Sequence, residues 1–264
     1  PWWTWVLPLL LIHIGTRISL WSNVTSGSSL FYFPVPIALV LTYWWGPRVL
    51  VGFYLNAILS AGLFELKNEL FYPLYALPEV AFVFLSWLFF IRMANGKCWL
   101  PNISNVAYFL VVGIVLPLVI TRFMLEGFLL YMGEIAARDF WTLLLMTGLG
   151  DFISIFGMSI PLLYLLSGVM AKNGLTYFSA TIPPRIQAIR SKLNTPRHIL
   201  EISICLLLTL VISQTLNFAE YWFLYGILSL YVAIRYGFGF AIFFNSYILL
   251  LTYVLLSVLN PEFT

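Results

Sequence analysis

Five polar side chains lie inside apolar stretches of this chain, where charged and amide groups are costly unless a partner replaces lost hydration. Arg122 and Glu126 are four residues apart in one such stretch, so they share a helical face and can pair with each other. Asp151 follows Gly148-Leu149-Gly150 in a second stretch, where the helix is expected to be interrupted, there and at Pro161, and freed backbone groups could line a cavity. Glu79 follows Pro78 in a third, and Asn56 lies in a fourth. Ionisable groups inside a membrane mark ligand, ion or proton sites by default. Arg122, Glu126, Asp151, Glu79 and Asn56 are therefore the candidate ligand-binding set. A structural role stands beside each. Arg122 and Glu126 can form an ion pair near the membrane interface, and Glu79 and Asp151 can cap broken helices or bind Arg17 or Arg235. Asn56, and Asn245 near the other end of the chain, can be hydrogen-bonding glue between helices.

No catalytic constellation surrounds these residues. There is no nucleophile elbow, HExxH helix, P-loop or Gly-rich dinucleotide turn. Cys98 and Cys205 stand on separate segments without CxxC or Cys/His spacing, which gives no disulfide framework or zinc site. His13 and His198 are isolated from each other, no cofactor is expected, and nothing resembles a nucleic-acid-binding pattern.

The elements that must position the polar set follow from composition. The chain of 264 residues is 62% hydrophobic and 9% charged, against roughly half and a quarter in soluble domains. Apolar runs of membrane-spanning length recur from end to end, which predicts an all-α, polytopic transmembrane helical bundle. Nine helical segments are expected, at 2–21, 30–45, 47–64, 71–92, 104–131, 140–168, 198–216, 220–235 and 237–259. Residues 1–264 read as a single membrane domain. The one long polar connection, 170–197, carries Lys172, Arg185, Arg190, Lys192 and Arg197 and no acid. Its IQAIRSKL pattern predicts a short basic helix on the membrane surface.

Two stretches are organised alike. Phe33–Leu59 runs from an apolar helix through Trp44-Trp45-Gly46-Pro47-Arg48 into a second apolar helix with Asn56. Phe223–Tyr247 does the same through Arg235-Tyr236-Gly237 and on to Asn245. The limbs are short for a bilayer core of about 30 Å, which predicts two similar interior hairpins. Basic residues favour cytoplasmic loops. With nine segments, Arg48, Arg92 with Lys97, the 172–197 segment and Arg235 all fall on one side. Glu65 with Glu69, Glu134 with Asp139, and Glu220 all fall on the other. The chain then starts in the cytoplasm, Thr264 lies outside, and a further helix is expected after it to carry a signal inward.

These features resemble the type-one bacterial membrane-associated sensor (MASE) domain. FPVPIALVLTYWWGPRVLVGFYLNAIL looks like its first block, TGLGDFISIFGMSIPLLYLL its middle block, and IRYGFGFAIFFNSYILL its last, in the family's order. The Trp-Trp-Gly-Pro corner departs from a plain aromatic-Gly corner. The resemblance implies a non-catalytic input domain of the bacterial inner membrane, joined to a cytoplasmic histidine kinase, diguanylate cyclase or phosphodiesterase. It implies that the domain senses a small ligand or a partner membrane protein, and that it works as a homodimer. Two other readings remain open. The similar hairpins would suit a small transporter with paired repeats around a midplane site. A scaffold that only dimerises a cytoplasmic partner would tolerate apolar residues in place of the interior polar ones.

Overall fold

The computed structural model describes residues 2–21, 32–64, 69–93, 107–176, 195–215 and 218–251. The expected basic surface helix within 177–194 and the acidic residue Glu65 lie outside them. Among the described residues the fold is all helical, in nine segments. They are α1 (Trp3–Trp21), α2 (Pro34–Trp45), α3 (Val49–Ala61), α4 (Tyr72–Met93), α5 (Phe109–Tyr131), α6 (Phe140–Lys172), α7 (Pro196–Thr215), α8 (Phe218–Tyr236) and α9 (Phe238–Leu250). Five of these helices, α1, α4, α5, α6 and α7, are long and apolar enough to cross a membrane. The limbs α2, α3 and α9 are shorter, as their sequences predict, whereas α8 is as long as α1 with a shorter apolar part, Leu224–Tyr236.

The architecture is built around α2. Every residue of this helix except Ile37 is buried. Its start explains how a helix end can be placed in a dry interior. Pro34 and Pro36 have no backbone N–H, which removes two of the donors that a helix N-terminus leaves unpaired. Just ahead of them, the Tyr32 N–H donates to Ser154 Oγ of α6 (2.8 Å) and the Phe33 N–H donates to Ser19 Oγ of α1 (2.8 Å). Further along α2, Tyr43 Oη donates to the Ser86 carbonyl of α4 (3.1 Å), and Trp44 Nε1 donates to Ser167 Oγ of α6 (2.9 Å). Hydroxyls of α1 and α6 and a backbone carbonyl of α4 thus satisfy donors of one central helix and of the residues leading into it.

The two hairpin corners share a backbone conformation. Gly46 has φ 79° and ψ −171°, and Gly237 has φ 90° and ψ 176°. This region is closed to residues with a Cβ. In each corner the Gly N–H closes the preceding helix four residues back, onto Thr42 O and Ala233 O, both at 2.9 Å. Burial separates the hairpins. The first belongs to the large apolar core with α1, α4, α5 and α6, whereas α8 and α9 build a smaller core around Tyr225, Val232, Tyr236, Phe240 and Phe244. One face of α8, with Ile227, Leu230, Tyr231 and Ile234, is exposed. The first hairpin also exposes a face, with Val51, Leu55 and Leu59 of α3, and α9 of the second buries Phe240, Ala241, Phe244 and Ile248, so the hairpins differ in that only the first has a limb, α2, buried almost throughout. Apolar composition is the same for a core-facing and a lipid-facing helix, so it carries no information on this difference.

Of the two interruptions expected in α6, the one at Gly148–Asp151 is absent and the one at Pro161 is present. Phe140–Ser154 is continuous α-helix, and the widened π-helical turn is Ile155–Ser159. A second π-helical stretch, Phe109–Val115, opens α5. Each sits just ahead of a proline whose fourth preceding residue is glycine: Gly113 with Pro117, and Gly157 with Pro161. The proline ring crowds the carbonyl four residues back and supplies no N–H. Widening the turn there accommodates both effects.

Candidate functional site

The buried face of α5 carries its charges. Thr121, Arg122, Leu125 and Glu126 point into the protein, while Val119, Ile120, Phe123 and Met124 face outward. On α6 the inward face near Asp151 is polar and small, with Gly150, Asp151 and Ser154 buried and Leu145, Met146 and Leu149 exposed. Small residues allow close helix approach in an apolar medium, and polar ones supply the interhelical bonds. These two inverted faces meet.

Arg122 pairs with Asp151 across that interface. Nε donates to Asp151 Oδ2 at 2.7 Å, and Nη2 donates to the same oxygen. Both residues are buried. The expected Arg122–Glu126 pair is therefore replaced by a pair between helices. Glu126 instead accepts a hydrogen bond from Thr147 Oγ1 of α6 at 3.0 Å. Arg17 and Arg235, the other partners considered for Asp151 and Glu79, are elsewhere. Arg17 is exposed on α1, and Arg235 binds Glu201 of α7 (3.3 Å).

Glu79, on α4, completes the cluster. The Tyr32 side chain lies near its carboxylate, and Tyr75 precedes it by one turn on the same helical face. Oε2 of Glu79 is buried and has no hydrogen-bond partner. A narrow pocket opens beside it, lined by Val35, Pro78, Phe82, Leu118, Thr121, Arg122, Leu125 and Asp151. It has room for about one water molecule. Three carboxylates, Glu79, Glu126 and Asp151, thus stand around one guanidinium.

All three helices bring these groups to the same end of the bundle. Glu79 is seven residues into α4, Asp151 eleven into α6, and Arg122 nine before the end of α5. At about 1.5 Å per residue these are depths of about 10–16 Å. Of the sequence candidates, Arg122, Asp151 and Glu79 line one pocket and Glu126 lies at its edge. Asn56 is apart from it. Its Oδ1 faces His13 Nδ1 of α1 (3.0 Å) and its Nδ2 donates to Thr16 Oγ1 (3.1 Å). There α1 and α3 are so close that a Cβ on Gly52 would meet the Leu9 backbone nitrogen at 3.0 Å. Asn245 accepts from Ser229 Oγ at 2.7 Å within its own hairpin. Both Asn side chains join helices.

Sequence reasoning missed Tyr32, Thr121 and Thr147. Hydroxyl residues are common in apolar spans, and only the fold shows which ones face a charge. It also missed Glu201, which binds Arg197 four residues earlier (3.0 Å), Arg235 and Tyr236. The Arg197–Glu201 spacing was a legible signal for the first of these. Among the described residues no group of three or more His, Cys, Asp or Glu is arranged to hold a metal ion. Comparison with family models, with curated proteins and with solved structures finds no match to this chain.

Proposed function

We propose that this chain is the membrane-embedded, non-catalytic input domain of a bacterial signalling protein, of the type-one MASE kind, in the inner membrane. The observation that carries the reading is the Arg122–Asp151–Glu79 pocket. Three helices, α4, α5 and α6, contribute polar groups to one buried point of an otherwise apolar bundle. Such groups are retained at a cost, and a site that answers to a ligand is a sufficient reason for it. The three sequence blocks in MASE order support the same reading. So do the two glycine corners of matching backbone geometry.

In this reading the input is a population shift. A small ligand or a partner membrane protein binds one arrangement of α4, α5 and α6 better than another. The π-helical turns at Phe109–Val115 and Ile155–Ser159 are natural places for α5 and α6 to adjust. The output module is a cytoplasmic histidine kinase, diguanylate cyclase or phosphodiesterase, and the working unit is a homodimer. With basic connections inside, the pocket lies in the outer half of the membrane.

The test uses the complete gene product. Arg122→Ala and Asp151→Ala are compared with the native protein for membrane level and for the range of kinase or cyclic-di-GMP output across growth conditions. A collapsed output range is expected in both, with a membrane level lowered by the stranded partner. Unchanged folding and unchanged output in both variants would overturn the assignment. The matched corners also favour the transport reading, in which the hairpins are repeats. Solute uptake by proteoliposomes holding only this chain would support that alternative.

A further inference from the structure

The pocket's charge balance is uneven. Arg122 is matched by Asp151, which leaves Glu79 and Glu126 without a cation of their own. Glu126 has Thr147 as a donor. Tyr32 lies near the Glu79 carboxylate, while Oε2 borders the pocket with no hydrogen-bond partner among the described residues, and only 6% of the residue is exposed. A buried carboxylate with an unmatched oxygen is an expensive arrangement unless positive charge is delivered to it. The groups that face it are Tyr32 ahead of α2, Tyr75 on α4, Arg122 on α5 and Asp151 on α6. The sequence of α3, which also packs on α4, has no charged residue.

We propose that Glu79 Oε2 is the binding site for one small monovalent cation, a proton or an alkali-metal ion. This deepens the sensor reading and rests on the pocket being its site. Size sets the class: a pocket with room for about one water excludes organic amines and head groups. Charge number sets it too, because one unmatched carboxylate beside a neutralised Arg–Asp pair suits a single positive charge. A divalent metal would need more anionic ligands than converge here. The Thr121 hydroxyl, which lines the pocket and donates to the Pro117 carbonyl (2.8 Å), keeps a lone pair for such an ion. Glu126, one turn nearer the end of α5, marks a polar step on the way in.

The test needs no signalling output, so its failure is distinguishable from failure of the sensor reading. The purified chain in nanodiscs is unfolded by heat in two series. One varies pH in sodium-free choline buffer, and the other varies NaCl against choline chloride at fixed pH. A cation at ten times its dissociation constant stabilises by RT ln 11, a shift of a few degrees for a chain of this size. The native protein is expected to show that shift in one series, which names the ion, and Glu79→Gln is expected to lack it. A native protein flat in both series, or a variant that keeps the native dependence, would overturn the proposal. Should Glu79→Gln fail to fold, dicyclohexylcarbodiimide labelling of the native protein, mapped by mass spectrometry, decides the question. Labelling of Glu79 that rises as pH falls, or that Na⁺ suppresses, supports the site. Glu79 left unlabelled while other carboxyls react, or labelled without regard to pH and Na⁺, contradicts it.

Discussion

Arg122 of α5 and Asp151 of α6 share one carboxylate oxygen through two guanidinium donors, deep in the contact between their helices. The pair satisfies both charges and leaves the rest of the cluster to be matched by something else. Removing one partner therefore strands the other. Arg122→Met or Asp151→Leu alone is expected to destabilise the domain by about 3 kcal/mol, and the double variant is expected to recover most of that loss. A double-mutant cycle read by unfolding in detergent checks it. Losses that simply add would show that the two charges do not depend on each other.

Asn56 tests the opposite expectation. It joins α3 to His13 and Thr16 of α1 and lies outside the Arg122 pocket. Asn56→Leu should cost about 0.6–1.7 kcal/mol, the range of interhelical hydrogen bonds in membranes. Any cation-dependent shift in melting temperature should persist in this variant. Loss of the shift with native stability would place Asn56 in the site.

The corners predict a contrast in reach. Gly46→Ala and Gly237→Ala each force a Cβ into a backbone region that only glycine occupies comfortably, at a cost of about 1–3 kcal/mol. Gly46 joins the limbs of the core hairpin, so its change should lower the global melting temperature. Gly237 lies within the smaller α7–α9 core. Its change should speed proteolysis and hydrogen exchange there first, leaving α1–α6 protected.

Ser154 offers a narrow probe of how α2 is held. Its hydroxyl accepts the Tyr32 N–H and donates to the Gly150 carbonyl at 2.7 Å. Ser154→Ala leaves a backbone donor unpaired beside the pocket and should cost about 1–3 kcal/mol. Ser154→Thr should retain most of the stability if the pocket wall accommodates a methyl group. Thermal unfolding of the two variants side by side measures the difference.

These residues also show what the sequence could and could not disclose. The nine segments were legible because apolar runs, Pro-Gly corners and charged connections alternate along the chain. FPVPIALVLTYWW was legible as a limb of an interior hairpin, but its central place, with prolines at a buried helix start, came from the fold. Arg122's partner was not. Glu126 was close along the chain, but Asp151 faces Arg122 only because two inverted helix faces meet. Of the two interruptions read in the Asp151 span, the one at Gly148–Asp151 is absent because glycine alone does not break a packed helix, whereas the one at Pro161 appears as the widened turn Ile155–Ser159. The lipid-facing side of α8 was invisible because lipid and protein core select the same side chains.

The most direct trial replaces both members of the buried pair. Arg122→Met with Asp151→Leu, made in the complete gene product, keeps the volume and removes the charges. The sensor reading predicts a protein of near-native melting temperature and membrane level whose kinase or cyclic-di-GMP output no longer changes across growth conditions. The same stability with a full native output range would contradict it. The buried charges would then be scaffolding alone.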